Sequence, residues 1–194
     1  MSYSSLWEIN KDWSGKEYRE YKNSWFFSPV VWNILMCKYV KSYERDDETN
    51  YMIWAMPFGE RKNNSQILNE RINNSTIQFD RVLWELTNRS VFNAKDKEFV
   101  AECIKKFVEN NFEDSEYKDS DYIKERFCEI AKDIRELPKR CKYFVFKNTS
   151  CDDDVERWFY RKRLSSWEKF VCEFTIIANN KVLGFSDNLE MCCK

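Results

Sequence analysis

Phe170 to Phe185 reads FVCEFTIIANNKVLGF, and the class of the fold turns on it. Phe170, Cys172, Phe174 and Ile176 alternate with Val171, Glu173, Thr175 and Ile177. A period of two residues fits an extended strand whose side chains point to opposite faces. Asn179 and Asn180 separate this run from a second one, Lys181 to Phe185. Asparagine tolerates positive φ, so the pair suits the tight turn of an antiparallel hairpin. Upstream, Tyr143 to Phe146 reads as a short aromatic strand, and Val155 to Tyr160 as a short helix started by the acidic turn Cys151 to Asp154.

The middle of the chain has a different rhythm. Phe99, Val100, Cys103, Ile104, Phe107 and Val108 recur at helical spacing, which predicts a helix over about Lys95 to Asn110 with Asn93 as its cap. Ile123, Phe127, Ile130, Ala131 and Ile134 form a second stripe, capped by Asp119 or Ser120 and ending before Pro138. Ile77, Val82, Leu83 and Leu86 predict a helix within Thr76 to Leu86, and Gln66 to Ile72 is either a short helix or an ordered loop. Ser28-Pro29 reads as an N-cap followed by proline in the first turn, opening a helix from about Pro29 to Tyr43. Tyr51 to Phe58 reads as a buried strand, and Leu6 to Ile9 as a short strand in an otherwise irregular start. Helices in the centre followed by strands predict an α+β fold. The expected organisation is one compact domain over 1–194, with a helical centre of about 29–137 and a β-rich part of about 141–186. The C-terminal antiparallel hairpin joins a small sheet.

Composition limits the chemistry. The 194 residues contain no histidine, which removes Ser-His and Cys-His nucleophile pairs, imidazole acid/base catalysis and imidazole metal ligands. Gly15, Gly59 and Gly184 are the only glycines, against roughly 14 at ordinary usage, so neither common Gly-rich phosphate loop is present. Carboxylate and lysine chemistry remain open, but no motif singles out a catalytic residue, a metal ligand or a cofactor. The chain is 43% apolar and 34% charged with a formal charge of −1. It can bury a core, and it has no global attraction for nucleic acid or an anionic membrane. The start lacks the apolar core of a signal peptide, and the longest apolar stretch, Val30 to Val40, is short and interrupted by Asn33 and Lys38. A cytoplasmic protein without membrane contact is expected. Its eight cysteines then read as reduced, with Cys103, Cys128 and Cys172 as small apolar groups and Cys192-Cys193 as an exposed vicinal pair.

Two charged segments carry the functional expectation. Glu109 to Asp121 holds six acids, among them Glu113, Asp114 and Glu116, against the single base Lys118. Such a stretch imitates nucleic-acid phosphates or docks on a basic partner; it also suits a plain solvated connection between two helices. Arg157, Trp158, Tyr160, Arg161, Lys162 and Arg163, with Trp167 close by, mix bases and aromatics. That mixture suits a protein interface or RNA and DNA contact through phosphates and stacked bases. Lys139, Arg140, Lys142 and Lys147 would extend the basic surface if they fold beside it. Asp152 to Asp154 has the oxygen ligands that Mg²⁺ prefers, though consecutive side chains diverge, and it equally suits a helix start.

The inventory fits a non-enzymatic inhibitor or neutraliser that blocks a macromolecular partner, in the style of immunity proteins, antitoxins and phage anti-defence proteins. The expected partner is a protein, such as a member of a nucleic-acid-processing complex. The alternatives are an RNA- or DNA-binding protein using the basic-aromatic segment and a carboxylate-based hydrolase.

Overall fold

The computed structural model describes residues 3–10, 15–40, 64–88, 90–149, 173–178 and 181–187. The fold is α+β, with helices between an N-terminal pair of strands and a C-terminal hairpin. The strands are β1 (Tyr3–Ile9), β2 (Gly15–Lys22), β3 (Ser90–Asn93), β4 (Tyr143–Thr149), β5 (Glu173–Ala178) and β6 (Lys181–Asp187). The helices among the described residues are α1 (Ser28–Tyr39), α2 (Asn64–Asn73), α3 (Gln78–Leu86), α4 (Lys97–Asn111) and α5 (Asp121–Glu136).

The strands form one sheet in the order β2-β1-β4-β3-β5-β6. Every neighbouring pair is antiparallel except β3 with β5, which run parallel. The second half of the alternating C-terminal run is strand β5, and β6 pairs with it from Glu173↔Asp187 to Ala178↔Lys181. The Asn179-Asn180 turn lies outside the described residues, as do Phe170 and Cys172, the strand read at Tyr51 to Phe58 and the helix read at Val155 to Tyr160.

Leu6, Phe92, Phe144 and Phe146 present one sheet face to the helices, and Phe27, Phe107, Phe112 and Phe127 meet them from the other side. The ring of Phe127 is 4.6 Å from that of Phe27, 5.1 Å from Phe112 and 6.2 Å from Phe107. Both expected helical stripes point inward: Val100, Cys103, Ile104 and Phe107 on α4, and Ile123, Phe127, Ile130, Ala131 and Ile134 on α5. The opposite face of the central strands carries Trp7, Ile9, Val91 and Val145, which are buried as well.

Several boundaries differ from the sequence reading for identifiable reasons. Strand β1 begins three residues earlier than expected, because Ser4 and Ser5, although polar, are buried between β2 and β4. Strand β2 hides only Tyr21, so it shows no alternation. It is held instead by α5: Tyr21 donates to Asp133 at 2.8 Å, Arg126 donates to the Lys22 carbonyl at 3.1 Å, and Arg19 faces Glu129 and Asp133. Ser28 is the first residue of α1 rather than its cap, and the helix ends at Tyr39. Asn93 caps a single 3₁₀ turn, Ala94–Asp96, that leads into α4. Gln66 to Ile72 lies within helix α2. Cys128 is exposed, contrary to the sequence reading. It follows Phe127 by one position, and a step of about 100° on a helix carries it off the buried stripe. Cys103 is buried, and burial pushes its thiol up to about 12.

Glu85, at the inner end of α3, accepts a hydrogen bond from Ser90 at the start of β3. Burial raises its carboxyl above the usual range, outweighing the lowering by Ser90 and Arg81. A raised folded-state pKa means that the folded protein holds this proton more tightly than the unfolded chain does. Its contribution is therefore present below the unfolded carboxylate pKa and is lost as pH rises through the folded one. Glu85→Gln keeps an acceptor for Ser90 and removes the charge. We expect a higher melting temperature at pH 7 and a gain that shrinks toward pH 4, read by thermal unfolding across that range.

Candidate functional site

The acidic stretch is neither a free loop nor wholly a connection. Glu109 belongs to the last turn of α4, Asp121 opens α5, and residues 112–120 make a compact series of turns between them. Turn hydrogen bonds fix it: Ser115 donates through its amide and its hydroxyl to the Phe112 carbonyl at 3.0 and 2.8 Å, and the Tyr117 amide donates to the Ser115 hydroxyl at 3.2 Å. Ser120 holds the N-cap position of α5 and makes no side-chain cap; its carbonyl accepts from Ile123 and Lys124. Phe112 is buried against Phe127 and thereby anchors the turns to the core.

Contacts with α1 set the course of this strap. Asn111, where the strap begins, meets Lys38 in the last turn of α1 at 2.7 Å. Near the middle, Asn33 donates to the Tyr117 hydroxyl at 2.9 Å and to the Glu116 carboxylate. At the far end, Tyr122 lies edge-on to Phe26, just before α1, with ring centroids 5.0 Å apart. The strap therefore runs alongside α1 in the opposite direction, over a helix of 12 residues and about 18 Å. Glu113, Asp114, Glu116 and Asp119 are all exposed along it.

A cleft of about 370 Å³ opens between α1 and the strap, lined by Asn33, Cys37 and Lys38 on one side and by Asn110, Asn111, Asp114, Glu116 and Tyr117 on the other. A buried polar network lies beneath it. Asp80, in the first turn of α3, is fully buried and accepts from Lys38 at 2.7 Å, Tyr39 at 2.7 Å and Asn111 at 3.2 Å. The start of a helix favours a carboxylate, and each partner donates to the ionised form. Tyr39 also bonds Ser75 at 2.9 Å. Its phenol is pushed up to about 12, first by burial and then by the Asp80 carboxylate, against the Ser75 bond. It thus remains a donor at neutral pH. Because the Lys38 charge is taken up by Asp80, Asp114 and Glu116 give the cleft its negative character.

Of the residues expected to bind a partner, Glu113, Asp114 and Glu116 fall together on this strap. Arg157, Trp158, Tyr160, Arg161, Lys162, Arg163 and Trp167 lie outside the described residues, as do Asp152 to Asp154 and Cys192-Cys193. Lys147 does not extend a basic surface: it is buried in β4, paired in register with Ser5. Arg140 reaches the buried carboxylate of Glu8 at 2.9 Å. Among the described residues no group of three or more Cys, Asp or Glu is placed to hold a metal ion, and no helix is long and apolar enough to cross a membrane.

No protein-family model, curated protein or solved structure matches the chain.

Sequence reasoning missed Asp80, Asn33, Tyr39 and Asn111, since residues so far apart along the chain leave no local pattern. Lys38 did leave one: it is a charge inside the longest apolar stretch, and its partner proves to be a buried acid.

Proposed function

We propose that this protein is a non-enzymatic inhibitor or neutraliser that binds a protein partner in the cytoplasm and blocks it sterically through the acidic strap. The observation that carries the reading is the fixed position of the strap along α1, with Glu113, Asp114, Glu116 and Asp119 exposed. A row of carboxylates on an ordered backbone resembles the phosphates of a nucleic acid in sign. It loses little entropy on binding, because the strap is already held. Its complement is a basic channel or groove, such as that of a nucleic-acid-processing protein, and like charge repels nucleic acid from the same face. Arg157 to Arg163 and Trp167 are proposed as a second contact on sequence grounds. The proposed action is in the style of immunity proteins, antitoxins and phage anti-defence proteins.

The test is the triple variant Glu113→Gln, Asp114→Asn, Glu116→Gln. The amide introduced at position 116 retains an acceptor for Asn33, so the strap should keep its place and the melting temperature should stay within about 2 °C. A stoichiometric partner isolated with the wild-type protein should bind the variant at least tenfold more weakly, mostly through slower association, and added salt should reduce the difference. Equal affinity of the two proteins would remove the strap from the proposal, and retention of RNA or DNA in place of a protein would overturn it.

A further inference from the structure

The strap ends beside Tyr122, whose ring meets Phe26, the residue after Trp25; Trp25 (68%) and Tyr122 (55%) are the two large hydrophobic side chains that stand exposed among the described residues. The backbone at Trp25 lies in a hydrogen-bonded turn. Asn23 adopts a left-handed conformation with φ 63°, and its side-chain oxygen accepts from the Trp25 amide at 3.4 Å. The Phe26 amide closes the turn onto the Asn23 carbonyl at 3.3 Å. Phe26 rests against Tyr122, and Phe27 is buried in the core. A tryptophan so exposed adds little to the core, and Trp and Tyr are among the residues on which protein interfaces concentrate their energy.

The charge of the strap and of the first half of α5 selects the occupant, against the exposed Lys22 three residues before Trp25. From Glu113 to Glu129 there are seven carboxylates and three bases. Of the bases, Arg126 pairs with Glu129 at 3.2 Å and Lys124 folds back onto the Lys118 carbonyl. Asp121 immediately precedes Tyr122 at the exposed start of α5. Aromatic faces beside carboxylates suit a guanidinium, which stacks on a ring while its edge donates to an oxygen pair. Lysine offers a point charge without the planar fork. Stacked nucleic-acid bases would bring phosphates against the strap, and an anionic membrane would be repelled likewise.

Resting on the reading of the strap as a protein-binding surface, we propose that Trp25 and Tyr122 form its arginine-selective end. A partner segment would lay an Arg side chain against Trp25 and Tyr122, with Asp119 or Asp121 on its fork, while its remaining bases follow the strap. The probe is the peptide acetyl-(Arg-Gly-Gly)₃-amide, with its Lys counterpart and a (Glu-Gly-Gly)₃ control. Binding is followed by ¹⁹F NMR on protein labelled with 5-fluorotryptophan, in which Trp25→Phe assigns the resonance. The Trp25 signal should shift with the Arg peptide, which should bind about threefold to tenfold more tightly than the Lys peptide, and not with the Glu peptide. Trp25→Ala, at an unchanged melting temperature, and Tyr122→Ala should each weaken the Arg peptide about fivefold or more.

Equal affinity for Arg and Lys peptides, or unchanged affinity in Trp25→Ala, would overturn the aromatic end. The strap would still stand if the triple carboxylate variant alone lost binding. A concentration-dependent dimer abolished by Trp25→Ala would overturn it in favour of a second copy of this chain. Tighter binding of a single-stranded RNA oligonucleotide than of the Arg peptide would overturn both readings.

Discussion

Phe127→Ala should lower folding stability by about 4 kcal/mol, seen as a lower urea midpoint at an unchanged slope. The ring is fully buried and lies within 6.2 Å, centroid to centroid, of Phe27, Phe107 and Phe112. Truncation loses the transfer free energy of the ring and its edge and stacking contacts, and it leaves a gap that three other rings cannot fill without leaving their rotamers. Phe112 would lose its anchor in the core, so the acidic strap should loosen in the same variant. Phe127→Leu should cost less than half as much, because most of the volume is retained. A loss below about 1 kcal/mol for the alanine variant would show that the core closes over the gap.

Lys38→Met should cost about 3 kcal/mol by the same measurement. The variant keeps an unbranched apolar side chain but removes the ammonium, which bonds Asp80 and lies 5.5 Å from the Phe79 ring centroid and 5.8 Å from that of Tyr39. The carboxylate is left fully buried, with only Tyr39 and Asn111 donating to it. Breaking a buried pair from one side costs about 3–5 kcal/mol, since the remaining charge is out of water without its counter-ion. The Lys38 side chain itself is 30% exposed, which places the expectation at the low end. Lys38→Arg should not rescue fully, because the longer planar group does not fit a site that takes a single ammonium between Asp80 and Asn111.

These two sites differ in how far the sequence announces them. Phe127 sits on a stripe repeated every three or four residues, and burial of one helix face imposes that period whatever the partner. Strand β5 is legible for the corresponding reason at period two, and β4 as a short aromatic run. Strand β2 is not legible, because an edge strand with one buried residue carries no alternation and is held by ion pairs to a helix more than 100 residues away. Strand β3 has four residues, too few for any period to show. The acidity of the strap is plain from composition, but its course along α1 depends on Asn33, 83 residues before Glu116. Trp25 and Tyr122 do not stand out in a chain so rich in aromatics. Only their exposure sets them apart from the rings that build the core.

The order of the sheet bears on how the chain comes to be folded. Strand β1 lies between β2, which follows it at once, and β4, whose Thr149 pairs with Tyr3. During synthesis the β1–β2 ribbon can form early, but one edge of β1 must wait for β4. At translation rates of about 5–20 residues per second, that wait is on the order of 10 s. For this period an unpaired row of backbone amides and carbonyls flanks Leu6, Trp7 and Ile9, the pattern that recruits foreign strands. Closure at such sequence separation is also slow in isolation. Refolding from denaturant should therefore be limited by the joining of β1 to β4 rather than by the helices, and the nascent chain is most exposed to aggregation before β4 is made.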